Sequence, residues 1–189
     1  MNDVKESFER DTRHHVLDVR HDSGDYKHLR WGRPKSSSYH VIVVTYPGGL
    51  TVFGDLGTFA FKRGLDLFRV KAGNDYRAEK CTAGAVWGWD QDAFQRRLDE
   101  YIPQWLKHCE TADHPDLLHR IAECKNAVSE SDGMYLLTSM AHTFALDTTD
   151  FWEGGFKRLS FSFEFICLAV ATMAAEYDKR KATPCPTSA

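Results

Sequence analysis

The sequence has no strong excess of charge of either sign. It carries 27 Asp and Glu residues against 24 Lys and Arg residues, a formal net charge of −3. A protein that binds nucleic acid without sequence preference usually has a basic excess, and a protein that imitates DNA needs many more carboxylates than these. Direct binding of nucleic acid is therefore not expected, although the balance still allows a local basic patch.

Long hydrophobic runs are also missing. The most apolar run, FICLAVATMAA at 165–175, is bracketed by Glu164 and Glu176, and it is too short for a membrane span of about 20 residues. The N-terminal stretch MNDVKESFERDTRHH is polar and charged, which predicts that there is no signal peptide. We therefore expect a soluble protein of the cytoplasm with no membrane contact.

Paired cysteines and the common catalytic motifs are absent. The five cysteines include no C-x-x-C pair, which favours reduced thiols, argues against a zinc site and makes Cys167 a candidate core residue. Cys81 follows Lys80, whose charge could activate the thiol, but a lone cysteine is more often inert. No H-E-x-x-H, G-x-S-x-G, G-x-G-x-x-G or Walker motif occurs, so we expect no cofactor and no bound metal.

Short strand patterns fill the first third of the chain. Apolar and polar residues alternate at 14–22 and 26–31 on either side of a Gly-containing turn, which predicts a hairpin. The segment HVIVVTY at 40–46 is apolar on both faces, as is typical of a central strand. Two further short strands, LTVFG and TFAFKR, complete an antiparallel β-meander of about five strands over 1–63.

From Gly64 onward the hydrophobic spacing becomes helical. Asp90 is a candidate N-cap for one helix, and Pro103 is expected to kink or break that helix. The predicted helical segments are LDLFRV, DYRAEKC (helix or turn), DQDAFQRRLDEYIPQWLKHC, HPDLLHRIAECKNAV, SDGMYLLTSMAHTFA and SFSFEFICLAVATMAAEYDKRK.

The last of these helices should be central and buried, because it is apolar nearly all round. Phe165, Leu168 and Met173 are predicted to be almost fully buried. The sequence thus predicts an α+β fold in one domain, 1–189. In that domain the N-terminal β-meander packs against a C-terminal helical part at 64–181 with a buried closing helix, and a flexible tail follows at 182–189.

The run Gly54-Asp55-Leu56-Gly57 lies between two strand patterns and has two interpretations. In the first, it closes the last hairpin: glycine supplies positive φ, and Asp55 bonds its own backbone. In the second, Asp55 points from this loop into a binding site. The turn is the preferred interpretation.

Two arrangements of His and Asp residues resemble catalytic or metal sites. His21, His28 and His40 could converge on adjacent strands beside Asp22, as in a zinc or iron site, but the spacing matches no ligand motif. Asp18 with Asp25-x-Lys27 is superficially similar to the carboxylates and lysine of metal-dependent nucleases. A polar, solvent-facing sheet surface explains the same residues, and it is preferred.

The first hairpin and the loop after it carry a basic and aromatic cluster. Such a mix suits a phosphate or an acidic partner. Asp residues are interleaved with it, so a charge-balanced, solvated strand face is the competing interpretation. The cluster consists of Arg20, Lys27, His28, Arg30, Trp31, Arg33 and Lys35.

Several short sequence motifs resemble those of a family of small bacteriophage and prophage accessory proteins. FERDT, HDSGDYKHLRW, YPGGLTVFGDLGTFAFKR and DYRAEKC occur in the family's order, and FEFICLAVATMAAEYD is similar to the family's closing helix. The chain departs from the pattern at Ser23, Asp25, Tyr46 and Arg77, where the family usually has Trp at the last of these positions.

The resemblance implies a non-enzymatic protein made in an infected bacterium that binds and inhibits a host factor, with a defence system such as a CRISPR effector as the first candidate. The partner is then a host protein or ribonucleoprotein complex. The alternative is a small metal-dependent hydrolase or nuclease that uses the His and Asp residues of the sheet. The predicted binding residues are His28, Arg30, Arg33, Lys35 and Asp55.

Overall fold

The N-terminal region forms one antiparallel sheet of six strands in the order β1-β2-β3-β4-β5-β6, a simple meander. The computed structural model describes residues 4–63, 68 and 73–182. The strands are β1 (Val16–Ser23), β2 (Tyr26–Gly32), β3 (Val41–Tyr46), β4 (Gly49–Gly54), β5 (Gly57–Lys62) and β6 (Cys81–Ala83). The predicted α+β fold is confirmed, with a sixth strand, β6, in addition to the expected five.

Six α-helices with described bounds lie in this part of the chain, together with a short 3₁₀ helix at Thr111–Asp113. A two-stranded sheet forms from β7 (Trp87–Trp89) and β8 (Lys157–Leu159). The segment predicted as a helix at 65–70 and the tail at 183–189 lie outside the described residues, apart from Phe68, which is helical and buried. The helices are α1 (Val4–Thr12), α2 (Asn74–Lys80), α3 (Gln91–His108), α4 (His114–Lys125), α5 (Glu130–Phe144) and α6 (Phe161–Ala182).

The chain divides into two compact units, one formed by residues 1–86 and 159–189 and the other by 87–158. The single domain assigned from the sequence stays a prediction. In the first unit, one face of the sheet packs on α6, which is the central apolar helix as expected. We call this face the inner face. Its core side chains are Leu17, Leu29, Trp31, Val41, Val43, Leu50, Val52, Phe59 and Phe61.

Helix α6, which has 22 residues, buries nine of them in this core. Phe165 and Met173 are fully buried, as predicted, but Leu168 is only partly buried, so that prediction is wrong. A helix that is apolar all round gives no sequence signal for the side that faces away from the sheet. Helix α1, which the sequence analysis did not predict, adds Phe8, whose ring stacks on Trp31 at 5.3 Å.

The second unit has a separate aromatic core. Asp90 caps α3, since its Oδ1 accepts a hydrogen bond of 2.9 Å from the Ala93 N–H, which confirms the predicted cap. Of the two expected effects of Pro103, a break is wrong, because helix α3 continues through it, and a kink stays a prediction. Burial of Leu98 and Trp105 on either side of the proline offsets the lost backbone bond. The core consists of Phe94, Leu98, Trp105, Leu117, Ile121, Cys124, Ala127, Leu137, Met140, Phe151 and Phe156.

No helix in the described ranges is long and apolar enough to cross a membrane.

Candidate binding face

The side of the sheet opposite α6 carries an unusual mixture of apolar and basic side chains. Because successive side chains of a strand point to opposite faces, the neighbours of the buried inner residues project outward. We call this side the outer face, formed by Asp18, His21, His28, Arg30, Ile42, Val44, Thr51, Phe53, Thr58, Ala60 and Lys62. The described helices of the first unit, α1, α2 and α6, pack on the inner core.

The centre of the outer face is apolar and partly exposed. Ile42 of β3 lies directly opposite Phe53 of β4, and Val44 lies next to them on β3. All three side chains are partly buried in the folded chain. An antiparallel sheet with one solvated face normally presents polar side chains there, so this apolar centre departs from the usual alternation.

Arg30 lies on the outer face, and its guanidinium group already makes a hydrogen bond within the chain. One of its Nη atoms donates a hydrogen bond of 2.7 Å to the backbone carbonyl of Ser36 in the loop between β2 and β3. Asp18 lies opposite Arg30 on β1 but pairs with Arg20, at 3.2 Å between Nε and Oδ2. Neither Asp18, which pairs with Arg20, nor Asp22, which pairs with Lys27, therefore holds Arg30.

Arg33 and Lys35 extend this basic region into the β2–β3 loop. Both side chains are exposed, and Lys35 has a positive φ of 60°. The Ser36 N–H bonds the Arg33 carbonyl at 3.2 Å and closes a turn around them. The loop therefore presents two cations to solvent, and its backbone is held to β2 by the hydrogen bond from Arg30 to the Ser36 carbonyl.

Asp55 ties the same loop to the β4–β5 turn. Its Oδ2 accepts a hydrogen bond of 2.6 Å from the Tyr39 N–H, and its Oδ1 lies 3.7 Å from Nδ1 of His40. Gly54 pairs with Gly57, which confirms that the Gly54–Gly57 run closes the last hairpin. The expected bond from Asp55 to its own backbone is replaced by this longer-range contact.

The proposed histidine cluster is only partly assembled. His21 and His28 lie directly opposite each other on β1 and β2, and Nε2 of His28 is buried without a hydrogen-bond partner among the described residues. His28 pairs with Val44, four residues along β3 from His40, so the backbones of the two histidines are about 13 Å apart. No group of three or more His, Cys, Asp or Glu side chains in the described ranges could hold a metal ion.

The residues of the nuclease-like pattern are separated by the pleat of the sheet. Asp18 projects from the outer face, Asp25 lies in the β1–β2 turn, and Lys27 projects from the inner face, where only 4% of its surface is exposed. A shared metal would require both carboxylates on one side of the hairpin.

Lys27 belongs instead to an inner-face network that the sequence analysis missed. Its Nζ lies 3.1 Å from Oδ1 of Asp22 and also bonds the Gly24 carbonyl. Asp22 accepts further bonds from Lys181 at 2.7 Å and from the Tyr177 hydroxyl at 2.8 Å. These bonds, from Lys181, Tyr177 and Lys27, hold the pKa of Asp22 well below its usual range. The signal was the alternation Lys27-Leu29-Trp31, which places the lysine on the buried side.

The cysteines of the described chain are free thiols with little nucleophilic character. Burial raises the pKa of Cys81, and it raises the pKa of Cys124 and of Cys167 to about 11. Cys167 is 2% exposed, which confirms its predicted place in the core. Because the thiolate is the reactive form, none of these three is activated.

The comparisons with known proteins add no relative: no known protein family, no curated protein and no solved structure matches this chain.

Proposed function

We propose that the chain is a phage-encoded accessory protein that binds and blocks a host bacterial factor, a defence complex such as a CRISPR effector, without catalysing a reaction. The observation that carries this proposal is the outer face. Its apolar centre of Ile42, Val44 and Phe53 is partly exposed beside a basic loop. Apolar centres with polar, charged rims are the usual anatomy of a protein interface.

Arg30 strengthens the proposal, because arginine is favoured at the energetic centres of interfaces. Its planar head makes paired bonds with carboxylates, and here one edge is already held by Ser36. Arg33, Lys35 and His28 lie around it on the same side of the hairpin or in the adjoining loop. The short sequence motifs that resemble phage and prophage accessory proteins support a phage origin for this chain and a host factor as its partner.

The hydrolase or nuclease alternative receives no comparable support. The residues that it needs lie on opposite faces of the first hairpin or at different ends of the strands, as described above for Asp18, Lys27 and His40. The binding function is therefore the one that we propose.

Plaque formation tests the inhibitor function. The protein is expressed in bacteria whose CRISPR effector, or another defence system, restricts a test phage. We expect the wild-type protein to restore plaques and the variant Arg33→Glu with Lys35→Glu to fail. The matched control, Arg96→Glu with Lys107→Glu, reverses two exposed cations of α3 and should act like the wild type. A wild-type protein that leaves plating at the restricted level in every defence background contradicts the proposal.

A further inference from the structure

We propose that the outer face binds an acidic amphipathic helix of the partner. This inference rests on the proposed binding function and names the class of segment that the face receives. It follows from three features of the described sheet: the width of its apolar centre, the charge around that centre, and the helix that already covers the opposite side.

The apolar centre has the dimensions of one helix. It extends from Ile42 and Val44 on β3 across Phe53 on β4 to Ala60 on β5. Neighbouring strands are about 4.8 Å apart, so the centre spans about 10 Å from β3 to β5, and a helix with its side chains is about 10–12 Å across. A helix laid on this centre would cover Ile42, Val44 and Phe53 and would leave the outer strands as flanks.

The flanks are basic. The outer face and the loops that adjoin it carry the cations Arg20, Arg30, Arg33, Lys35, Lys62 and Arg63 against the carboxylates Asp18, Asp25 and Asp55. Asp18 is paired with Arg20, and Asp55 accepts a hydrogen bond from the Tyr39 N–H. The surplus is three positive charges in a protein whose net charge is −3. Opposite charge on the rim of a partner would steer its approach and fix its orientation.

A helix suits this face better than an extended chain or a nucleic acid. The inner face already packs against the apolar α6, and a second helix could cover the apolar centre of the outer face in the same way. Single-stranded nucleic acid requires aromatic platforms on which bases stack. The outward centre is instead mainly aliphatic: of its side chains in the described part only Phe53 is aromatic, while Tyr46 lies at the end of β3 and His28 on β2.

The test uses the full chain and four labelled probes. The first is a helical peptide of about 18 residues with Leu at i, i+3, i+4 and i+7 spacing and Glu on both flanks. The second has Lys in place of every Glu, the third carries two central prolines that prevent the helix, and the fourth is single-stranded oligo-dT. Fluorescence anisotropy gives Kd, and methyl NMR of Ile42 and Val44 reports where each probe binds.

We expect the Glu peptide to bind and to shift the Ile42 and Val44 methyl signals, with the Lys and proline peptides weaker by about tenfold or more. Val44→Glu and the exposed loop variant Arg33→Glu with Lys35→Glu should each weaken binding by a similar factor. The control Arg96→Glu with Lys107→Glu should bind like the wild type. Arg33 and Lys35 lie in a loop outside the sheet, so the loop variant should fold, and it still tests the inference if Val44→Glu does not fold.

Equal binding of the Glu and proline peptides, methyl shifts on addition of oligo-dT, or a dimer that buries these methyls in the absence of a probe would each overturn the inference. Its failure is distinguishable from failure of the proposed function. If the loop variant loses plaque protection but the wild-type protein does not bind the Glu peptide, the inhibitor function stands and the helix-binding inference fails. If the wild-type protein binds the Glu peptide but protects no phage, the helix-binding inference stands and the inhibitor function fails.

Discussion

The Arg30 guanidinium donates a hydrogen bond of 2.7 Å to the backbone carbonyl of Ser36. This bond joins the centre of β2 to the loop that carries Arg33 and Lys35, while Asp55 holds the end of the same loop through the Tyr39 N–H. A loop fixed at two points loses less conformational entropy when a partner binds. Arg30 therefore has a structural role that the two exposed loop cations do not have.

The three basic residues should differ in their effect on stability. We expect Arg33→Glu with Lys35→Glu to change the free energy of unfolding by less than about 0.5 kcal/mol, as is usual for exposed sites. Arg30→Glu should cost about 1–2 kcal/mol, because it removes the bond to Ser36 and places a carboxylate near that carbonyl. Urea denaturation measures both. Equal stability of the two variants would show that the Arg30 bond contributes nothing.

Asp22 should make the fold sensitive to acid. Its pKa is lowered by the bonds from Lys181, Tyr177 and Lys27, so its contribution is fully present above the pKa of an unfolded aspartate, about 4, and is lost as the pH falls below that value. Asp22→Asn should cost about 3 kcal/mol at neutral pH, because it leaves the buried Lys27 without its carboxylate.

Unfolding curves of the wild type and of Asp22→Asn at pH 7 and pH 3 check this expectation. The difference between the two proteins should shrink at the lower pH. Asp18→Asn is the matched control, because its carboxylate is exposed and pairs with an exposed arginine. A constant difference between the wild type and Asp22→Asn across this range would contradict the network.

Gly54 and Gly57 should both resist substitution, for different reasons. A Cβ at Gly54 would lie 2.0 Å from the backbone carbonyl oxygen of His40, whereas a Cβ at Gly57 would meet Phe59 at an ordinary contact distance of 3.7 Å, but the φ there is +111°. We expect each alanine variant to cost about 1–3 kcal/mol.

Amide NMR separates the two causes. Gly54→Ala should displace the signals of His40 and Val41, because the backbone of β3 must move, and Gly57→Ala should perturb the turn alone. Gly48→Ala at the β3–β4 turn, where φ is +77° with no nearby atom, is a reference for the cost of positive φ. A Gly54→Ala variant with wild-type stability and unshifted β3 signals would refute the close approach.

The two faces of α6 should respond differently to truncation. Met173→Ala should cost about 2–5 kcal/mol, because Met173 is fully buried in the sheet core. Leu168→Ala should cost less than about 1.5 kcal/mol, since this side chain is only partly buried. Thermal unfolding of both variants measures the contrast. A larger loss for Leu168→Ala would mean that the helix is rotated from the orientation described here.

Local rules of sequence predicted the elements that depend on near neighbours. The alternation in β1 and β2, the Gly54–Gly57 turn and the Asp90 cap each involve residues a few positions apart, and each is present. The outward position of Arg30 follows from the same period of two.

Contacts between distant segments could not be predicted in this way. Asp55 binds Tyr39, 16 residues away, where the local rule pointed to its own turn. Lys27 lies over the ring of Tyr177, and Asp22 binds both Tyr177 and Lys181 from the far end of the chain. Only the finished packing of α6 on the sheet brings these residues together. Pro103 is accommodated in its helix because Leu98 and Trp105 are buried on either side of it, and helix propensity alone does not predict that burial.

The central claim is that the outer face is the surface through which the protein binds its host partner. Quantitative pull-down from phage-infected cells, with tagged wild-type protein, the loop variant Arg33→Glu with Lys35→Glu, and the control Arg96→Glu with Lys107→Glu, tests it most directly. The account predicts a host protein or complex that co-purifies with the wild type and the control and is lost with the loop variant. Recovery of the same partner in equal yield with the folded loop variant would contradict it.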